Sequence, residues 1–319
     1  MNTTAHVAIV VNPSKTSRKD LEEALSSLGN DAPSPQVSWF ETSVEDPGYG
    51  MTQDALDAGA DLVIAAGGDG TVRAVAQCLA DGDTSAQLGI VPLGTGNLLT
   101  RNLGIPLNDI AQALEVALSG RTRTIDLGWA QFDGGDGDQR FAFTVMAGVG
   151  VDAHMITETD EDLKDKVGWL AYVESLGRAF KASDMVSMDL SIDGNDPSST
   201  EAHTLIVGNC GVLTGGVTLL PDADPADGEL DMLVLSAEGV TSWLDTLRTM
   251  VWDNGIMRMV GGTDSAQSSE SVDHQRVTSV TATLGEARTL ELDGDDVGRC
   301  SRIEVTIQPE AIRVRVPQD

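Results

Sequence analysis

Basic residues are scarce in this chain, and so are aromatic side chains, cysteines and long apolar runs. Lys and Arg number 20 against 50 Asp and Glu, which leaves a formal charge of −30 over 319 residues. That balance excludes nucleic acid as a partner, because phosphate backbones are held by clustered Lys and Arg. An anionic substrate would meet a repulsive field, so divalent cations would help it bind. Solubility or adaptation to salt is the plainer source of such acidity. Cys78, Cys210 and Cys300 lie far apart with no C-x-x-C pair, and His6, His154, His203 and His274 are equally scattered. Neither a disulfide framework nor a zinc site is suggested. No apolar segment approaches the ~18 residues that span a bilayer. The opening MNTTAHVAIVVNP has no basic stretch before its short apolar run, so it reads as a first strand and not as a signal peptide. A soluble, reduced, cytoplasmic protein is the expectation.

What is present falls into two grammars. Up to residue 128, short apolar runs alternate with helical stretches. HVAIVV, QVSWF, DLVIAA and QLGIVPLG read as strands. RKDLEEALSSLG, TQDALDAG, GTVRAVAQCLADG and LNDIAQALEVALSG read as helices, the last with Asp109 in its first turn. Continuous apolar strands between helices predict a parallel sheet covered on both faces, of doubly wound, Rossmann-like α/β type. From about residue 129 strand-like segments follow one another at 140–147, 184–192, 202–209, 230–235, 276–283 and 288–292, with acidic, glycine-rich turns between them. An antiparallel β-rich sandwich or barrel is expected there, with a few helices. Residues 262–274 read as a mobile loop. RIEVTIQPEAIRVRVP supplies two further strands that could pack on either domain.

Ligands of open α/β sheets bind at loops leaving the C-terminal ends of the strands. Three polar or glycine-rich turns fall there: VVNPSK at 10–15, GGDGT at 67–71 and GTGN at 94–97. Glycines in such turns let backbone N–H groups close around a phosphate at a helix N-terminus. No lysine precedes the Thr as in a Walker loop; Asp69 stands in the middle instead. Asp69 could hold a phosphate-bound cation, or simply cap the helix that begins at Gly70 or Thr71.

NPSK, GGDGTV and PLGTGN…RNLGIP, in that order, resemble the diacylglycerol kinase catalytic family of bacterial soluble lipid kinases, related to sphingosine kinases and NAD kinases. GNCGVLTGGVTLLPDADPADGELDMLVL and LELDGDDVG are similar to its downstream segments, so the resemblance runs from about 6 to 316. It implies an ATP- and Mg²⁺-dependent transfer of the γ-phosphoryl group to a lipid hydroxyl, that of diacylglycerol first, giving phosphatidic acid. A sphingoid base or another lipid alcohol is the alternative acceptor, and a catalytically weak nucleotide-binding regulator the alternative class. The resemblance also implies an α/β nucleotide domain over 1–128, a β-rich lipid-substrate domain over 129–300, and a last segment, 301–319, returning to the first.

Carried over residue by residue, it would line the ATP site with Asn12, Pro13, Ser14, Lys15, Thr16, Thr42, Gly67, Gly68, Asp69, Gly70, Thr71, Val72, Arg73, Gly94, Thr95, Gly96 and Asn97. Arg73 stands where the family usually has Asn, and Leu98 where it often has Asp. Asp227, flanked by Asp224 and Glu229, would hold a second, structural Mg²⁺; a solvated acidic turn is the alternative. Asp295 takes the place of a family Glu and would accept the hydroxyl proton, with Asp293 orienting the site and Asp69 on the metal. Asp293-Gly294 also fits a type I′ hairpin turn. The stretch 162–182, with Lys164, Lys166 and Lys181 beside an apolar stripe, is either core or a face for a transient membrane contact. A homodimer is compatible with all of this.

Overall fold

The computed structural model describes residues 6–28, 36–82, 84–135, 137–150, 185–214, 218–235 and 272–318. Its first part runs β1 (His6–Val11), α1 (Arg18–Ser27), β2 (Gln36–Glu41), α2 (Tyr49–Asp57), β3 (Leu62–Gly67), α3 (Asp69–Asp81), β4 (Gln87–Pro92), α4 (Leu98–Asn102) and α5 (Ile110–Ser119). The apolar runs of β1, β3 and β4 are buried on both faces because helices cover both. Ala8, Val10, Val63 and Ala65 pack with Val72 and Val75 of α3, while Val7, Ile9 and Ile64 pack with Leu21 of α1 and Leu114 of α5. Strands β2, β1, β3 and β4 pair in that order, all parallel. This is the doubly wound sheet expected from the sequence. Local chemistry sets the helix starts. Ser17 and Asp20 form a reciprocal capping box on α1. Asp109 lies one residue outside α5 rather than in its first turn, and caps it by accepting from Gln112 N.

The second part is antiparallel: β5 (Arg121–Gly134), β6 (Gly137–Phe143), β7 (Met146–Val149), β8 (Val186–Ile192), β9 (Ser198–Ala202), β10 (Thr204–Gly208), β11 (Leu230–Leu235), β12 (Val272–Val277), β13 (Ser279–Leu292) and β14 (Asp295–Val316). Strict alternation in β8, with Val186, Met188 and Leu190 inside, marks a sheet with one solvated face. Those residues join Phe132, Phe143, Leu205, Met232, Leu290 and Ile303 in a second core.

The join between the parts departs from a clean boundary. β5 begins at Arg121, ahead of the change of grammar at 129, and the closing segment is one long strand rather than two. Pro309 has no N–H to donate to the ladder, and Glu310 takes φ +51°, so pairing with β5 shifts between Gln308 and Ile312 without ending. β14 thus pairs with β13 and β5 along its length and ends parallel to β4, with Arg313 opposite Gln87. The return of the last segment is therefore a continuous sheet through both parts. Among the described residues no helix is long and apolar enough to cross a membrane. The basic-flanked stretch 162–182 and most of the loop expected at 262–274 lie outside the described residues; 272–274 open β12.

Candidate active site

The C-terminal edge of the parallel sheet gathers the three turns. Asn12 N donates to Ala66 O, Thr42 N to Val11 O, and Leu93 N to Gly67 O, so the loops after β1, β2, β3 and β4 leave side by side. Asn12 folds the first loop as an Asx turn, its Oδ1 accepting from Ser14 N and Ser14 Oγ. Pro13, Ser14 and Lys15 are left exposed, with Thr16 and Asn12 half-buried. The second and third loops touch backbone to backbone. A Cβ on Gly94 would lie 2.7 Å from Gly68 Cα, so only glycine permits the contact. Thr95 is exposed beside it, whereas Asn97 is buried, left-handed at φ +47°, and bonded both ways to Gly94. Thr42, Thr71 and Val72 are buried too. Val72 packs in the core and its N–H is spent on Gly68 O, so it contributes packing rather than a ligand contact.

Of the two roles read for Asp69, the structure sets aside the helix cap. It does not cap its own helix: Gly68 occupies that position and α3 has no side-chain cap. Its carboxylate instead crosses to the next loop, accepting Asn97 N at 2.8 Å and Leu98 N at 2.6 Å, and so caps α4. The first N–H groups of α3 are thereby left for another acceptor, at the positive end of a 13-residue helix. Burial pushes the Asp69 carboxyl above the usual aspartate range, and the charges of Asp293 and Asp295 add to that; the two backbone donors pull the other way.

Those two charges arrive on the β13–β14 hairpin. Asp293 and Gly294 have φ +53° and +89°, the type I′ turn that the pair allows. Asp293 is 3% exposed and accepts from Thr144 N, Thr144 Oγ1, Val145 N and Met146 N at 2.8–3.0 Å. With its oxygens turned inward it pins the hairpin to the start of β7, and it is a positioning residue rather than a catalytic one. Burial pushes its pKa up, while the Thr144, Val145 and Met146 donors and the Arg73 charge oppose that. Asp295, two residues on, is half-exposed and reaches α3: a Cβ on Gly70 would lie 2.9 Å from its Oδ2. Arg73, one turn along the same helix face, donates from Nη2 to that oxygen at 3.1 Å. Residues more than two hundred positions apart meet over the N-terminus of α3.

The expected cation site on the acidic turn does not assemble in this way. Asp224 pairs with Arg123 at 2.7 Å, and Arg276 pairs with both Asp227 and Glu229. Among the described residues no three His, Cys, Asp or Glu side chains gather at metal-binding spacing. The turn is held from inside by Asp126, which accepts Gly228 N at 2.8 Å and Glu310 N at 2.7 Å and donates its own N–H to Pro225 O. Sequence reading missed Asp126, although a charge between Ile125 and Leu127 in an apolar run is a signal. It also missed Asn102, bonded both ways to Val212, which ties α4 to the second part.

A parallel α/β sheet with an uncapped helix end, an arginine and a half-exposed carboxylate at its C-terminal edge, continuous with an antiparallel sandwich, defines the class: a two-part phosphotransferase of the kinase type. Comparison with known proteins narrows it. Residues 6–130 match the model of the diacylglycerol kinase catalytic domain, and residues 144–316 match the YegS C-terminal NAD kinase beta sandwich-like domain. The chain belongs to this YegS-like lipid kinase family. A relative from Yersinia enterocolitica, carrying the name "Probable lipid kinase YegS-like", is 30% identical over 98% of this chain and 97% of its own. One of the same name from Pseudomonas fluorescens is 32% identical over 84% and 82%. Two solved structures share the fold. A diacylglycerol kinase from Bacillus anthracis has a TM-score of 0.67 at 19% identity, covering 99% of this chain and 98% of that one. Yeast NADH kinase complexed with NADH has a TM-score of 0.52 at 13% identity, covering 100% and 85%.

Proposed function

We propose that this kinase transfers the γ-phosphoryl group of ATP, with Mg²⁺, to the hydroxyl of diacylglycerol and yields phosphatidic acid at a membrane surface. The observation that carries the reading is Asp295, set by the Asp293 turn over the uncapped start of α3. Phosphoryl transfer is mostly positioning and charge neutralisation. The free N–H groups of α3 and the exposed polar turn at Asn12–Thr16 suit a nucleotide's phosphates. The acceptor oxygen attacks the γ-phosphorus as the bond to ADP breaks, and Asp295 takes the hydroxyl proton.

Among the described residues Asp69, Asp293 and Asp295 stand here against one guanidinium; they do not gather at metal-binding spacing, but their excess of negative charge suits a cation carried in on the phosphates. Each Asp69 oxygen accepts one backbone N–H and keeps a lone pair, so Asp69 would hold the cation. When bound, Mg²⁺ supplies neutralisation of phosphate charge.

The test is label transfer from γ-labelled ATP with Mg²⁺ across diacylglycerol, sphingosine and NAD. Label in phosphatidic acid is expected; label in a sphingoid phosphate or in NADP instead would replace the acceptor assigned here. Asp295→Ala should lose roughly 10²–10⁴-fold in turnover with little change in thermal stability. Near-normal turnover would remove Asp295 from the chemistry.

A further inference from the structure

Arg73 brings a buried polar atom that the fold leaves unsatisfied to the start of α3. Its side chain is only 13% exposed, yet its Nε is buried without a hydrogen-bond partner among the described residues. A buried N–H with no acceptor is a cost that an incoming oxyanion removes. The guanidinium is a planar fork suited to bidentate phosphate contact, and among the described residues it donates from Nη2 to Asp295. It lies on the face of α3 that carries Gly70, beside an uncapped helix end. The GGDGT loop itself has no lysine, and Arg73 is the first cation on the helix that follows it.

We propose that Arg73 recognises the terminal phosphoryl group of the nucleotide, exchanging its ion pair with Asp295 for one with that group. The exchange frees the Asp295 carboxylate to face the acceptor hydroxyl. Asp295 and the phosphoryl oxygens compete for the same donors, so the base and the phosphate sensor hold each other until the nucleotide separates them. During transfer the acceptor O–P bond forms, the P–O bond to ADP breaks, the proton moves to Asp295, and Arg73 stays with the transferred group. The inference rests on the kinase reading for its ligand and goes beyond it in assigning who reads the third phosphate.

The experiment measures binding of ribose-labelled fluorescent ATP and ADP to the full chain with Mg²⁺. Wild type should prefer ATP, and Arg73→Asn should lower the ATP-over-ADP ratio about ten- to hundredfold while leaving ADP affinity in place. Arg73→Lys should recover part of the ratio. Asp295→Asn should tighten ATP binding by about threefold or more, and that gain should vanish in the Arg73→Asn background. An unchanged ratio in Arg73→Asn, or a gain from Asp295→Asn that persists without Arg73, overturns the proposal. So does an Arg73→Asn protein that melts lower and loses ATP and ADP alike, which makes the arginine structural. A wild type that binds neither nucleotide overturns the kinase reading itself, and this inference falls with it.

Discussion

The acidic loops at 222–229 and 293–295 look alike as strings, Asp-rich turns around a glycine, yet they meet different counter-charges. At the first, guanidinium groups answer every carboxylate named for it: Arg123 for Asp224, Arg276 for Asp227 and Glu229. At the second, Asp293 and Asp295 join Asp69 with a single arginine among them, and most of their acceptors are spent on backbone N–H groups. Carboxylates engaged by guanidinium side chains have less charge left to offer a ligand. A turn neutralised by fixed backbone dipoles keeps its negative charge aimed and its geometry rigid. The composition of a loop does not distinguish the two cases; the neighbours supplied by distant strands do.

The contrast can be broken at several strengths. Asp293→Ala should cost most, about 3 kcal/mol or more, because four donors lose a buried acceptor at once. Urea denaturation checks this, and a loss under about 1 kcal/mol would mean that the hairpin is pinned by something else. Asp69→Asn should cost about 1–2 kcal/mol by giving α4 a poorer cap, and it should weaken the Mg²⁺ dependence of transfer. A variant with full activity and normal Mg²⁺ response would remove Asp69 from the metal. Arg276→Ala should cost no more than about 1 kcal/mol, since its ion pairs are half-exposed. Should that variant instead gain Mg²⁺-dependent thermal stability, the freed Asp227 and Glu229 form the cation site that the arginine now closes.

The smallest effect is a slope with pH beside the same turn. His274 Nε2 lies 2.9 Å from the buried Asp231 carboxylate, and that pairing holds the imidazole above its ordinary pKa; burial and Arg276 oppose this, and Asp222 adds to it. A histidine whose folded pKa is raised stabilises the fold fully below its unfolded value of about 6.5 and loses that contribution as pH rises through the folded one. Melting temperature should therefore fall from about pH 6 to about pH 9 more steeply in wild type than in His274→Gln. Equal slopes would detach the pair from stability.

Much of the fold was legible because its signals are local. Apolar runs such as LVIAAG cannot be anything but doubly covered strands once helices flank them, and Asp293-Gly294 announces its own turn. The site was legible in its parts but not in its pairings. Nothing near Asp69 tells that its carboxylate caps a helix 28 residues onward, and nothing near Arg73 points to Asp295, 222 positions away. The helix α4, just after the Gly-Thr-Gly-Asn turn, was hidden because five residues carry too little periodicity to show.

The sequence by itself determined the two grammars, the sheet edge where ligands bind, and the glycines that let Gly68 and Gly94 meet. Backbone conformation answers to near neighbours, so spacing and residue type are enough. Only the tertiary structure decided which carboxylate is spent, which is paired and which is left free. That depends on the partner each long-range strand pairing brings within about 3 Å, and the β14 return brings Asp295 to Arg73.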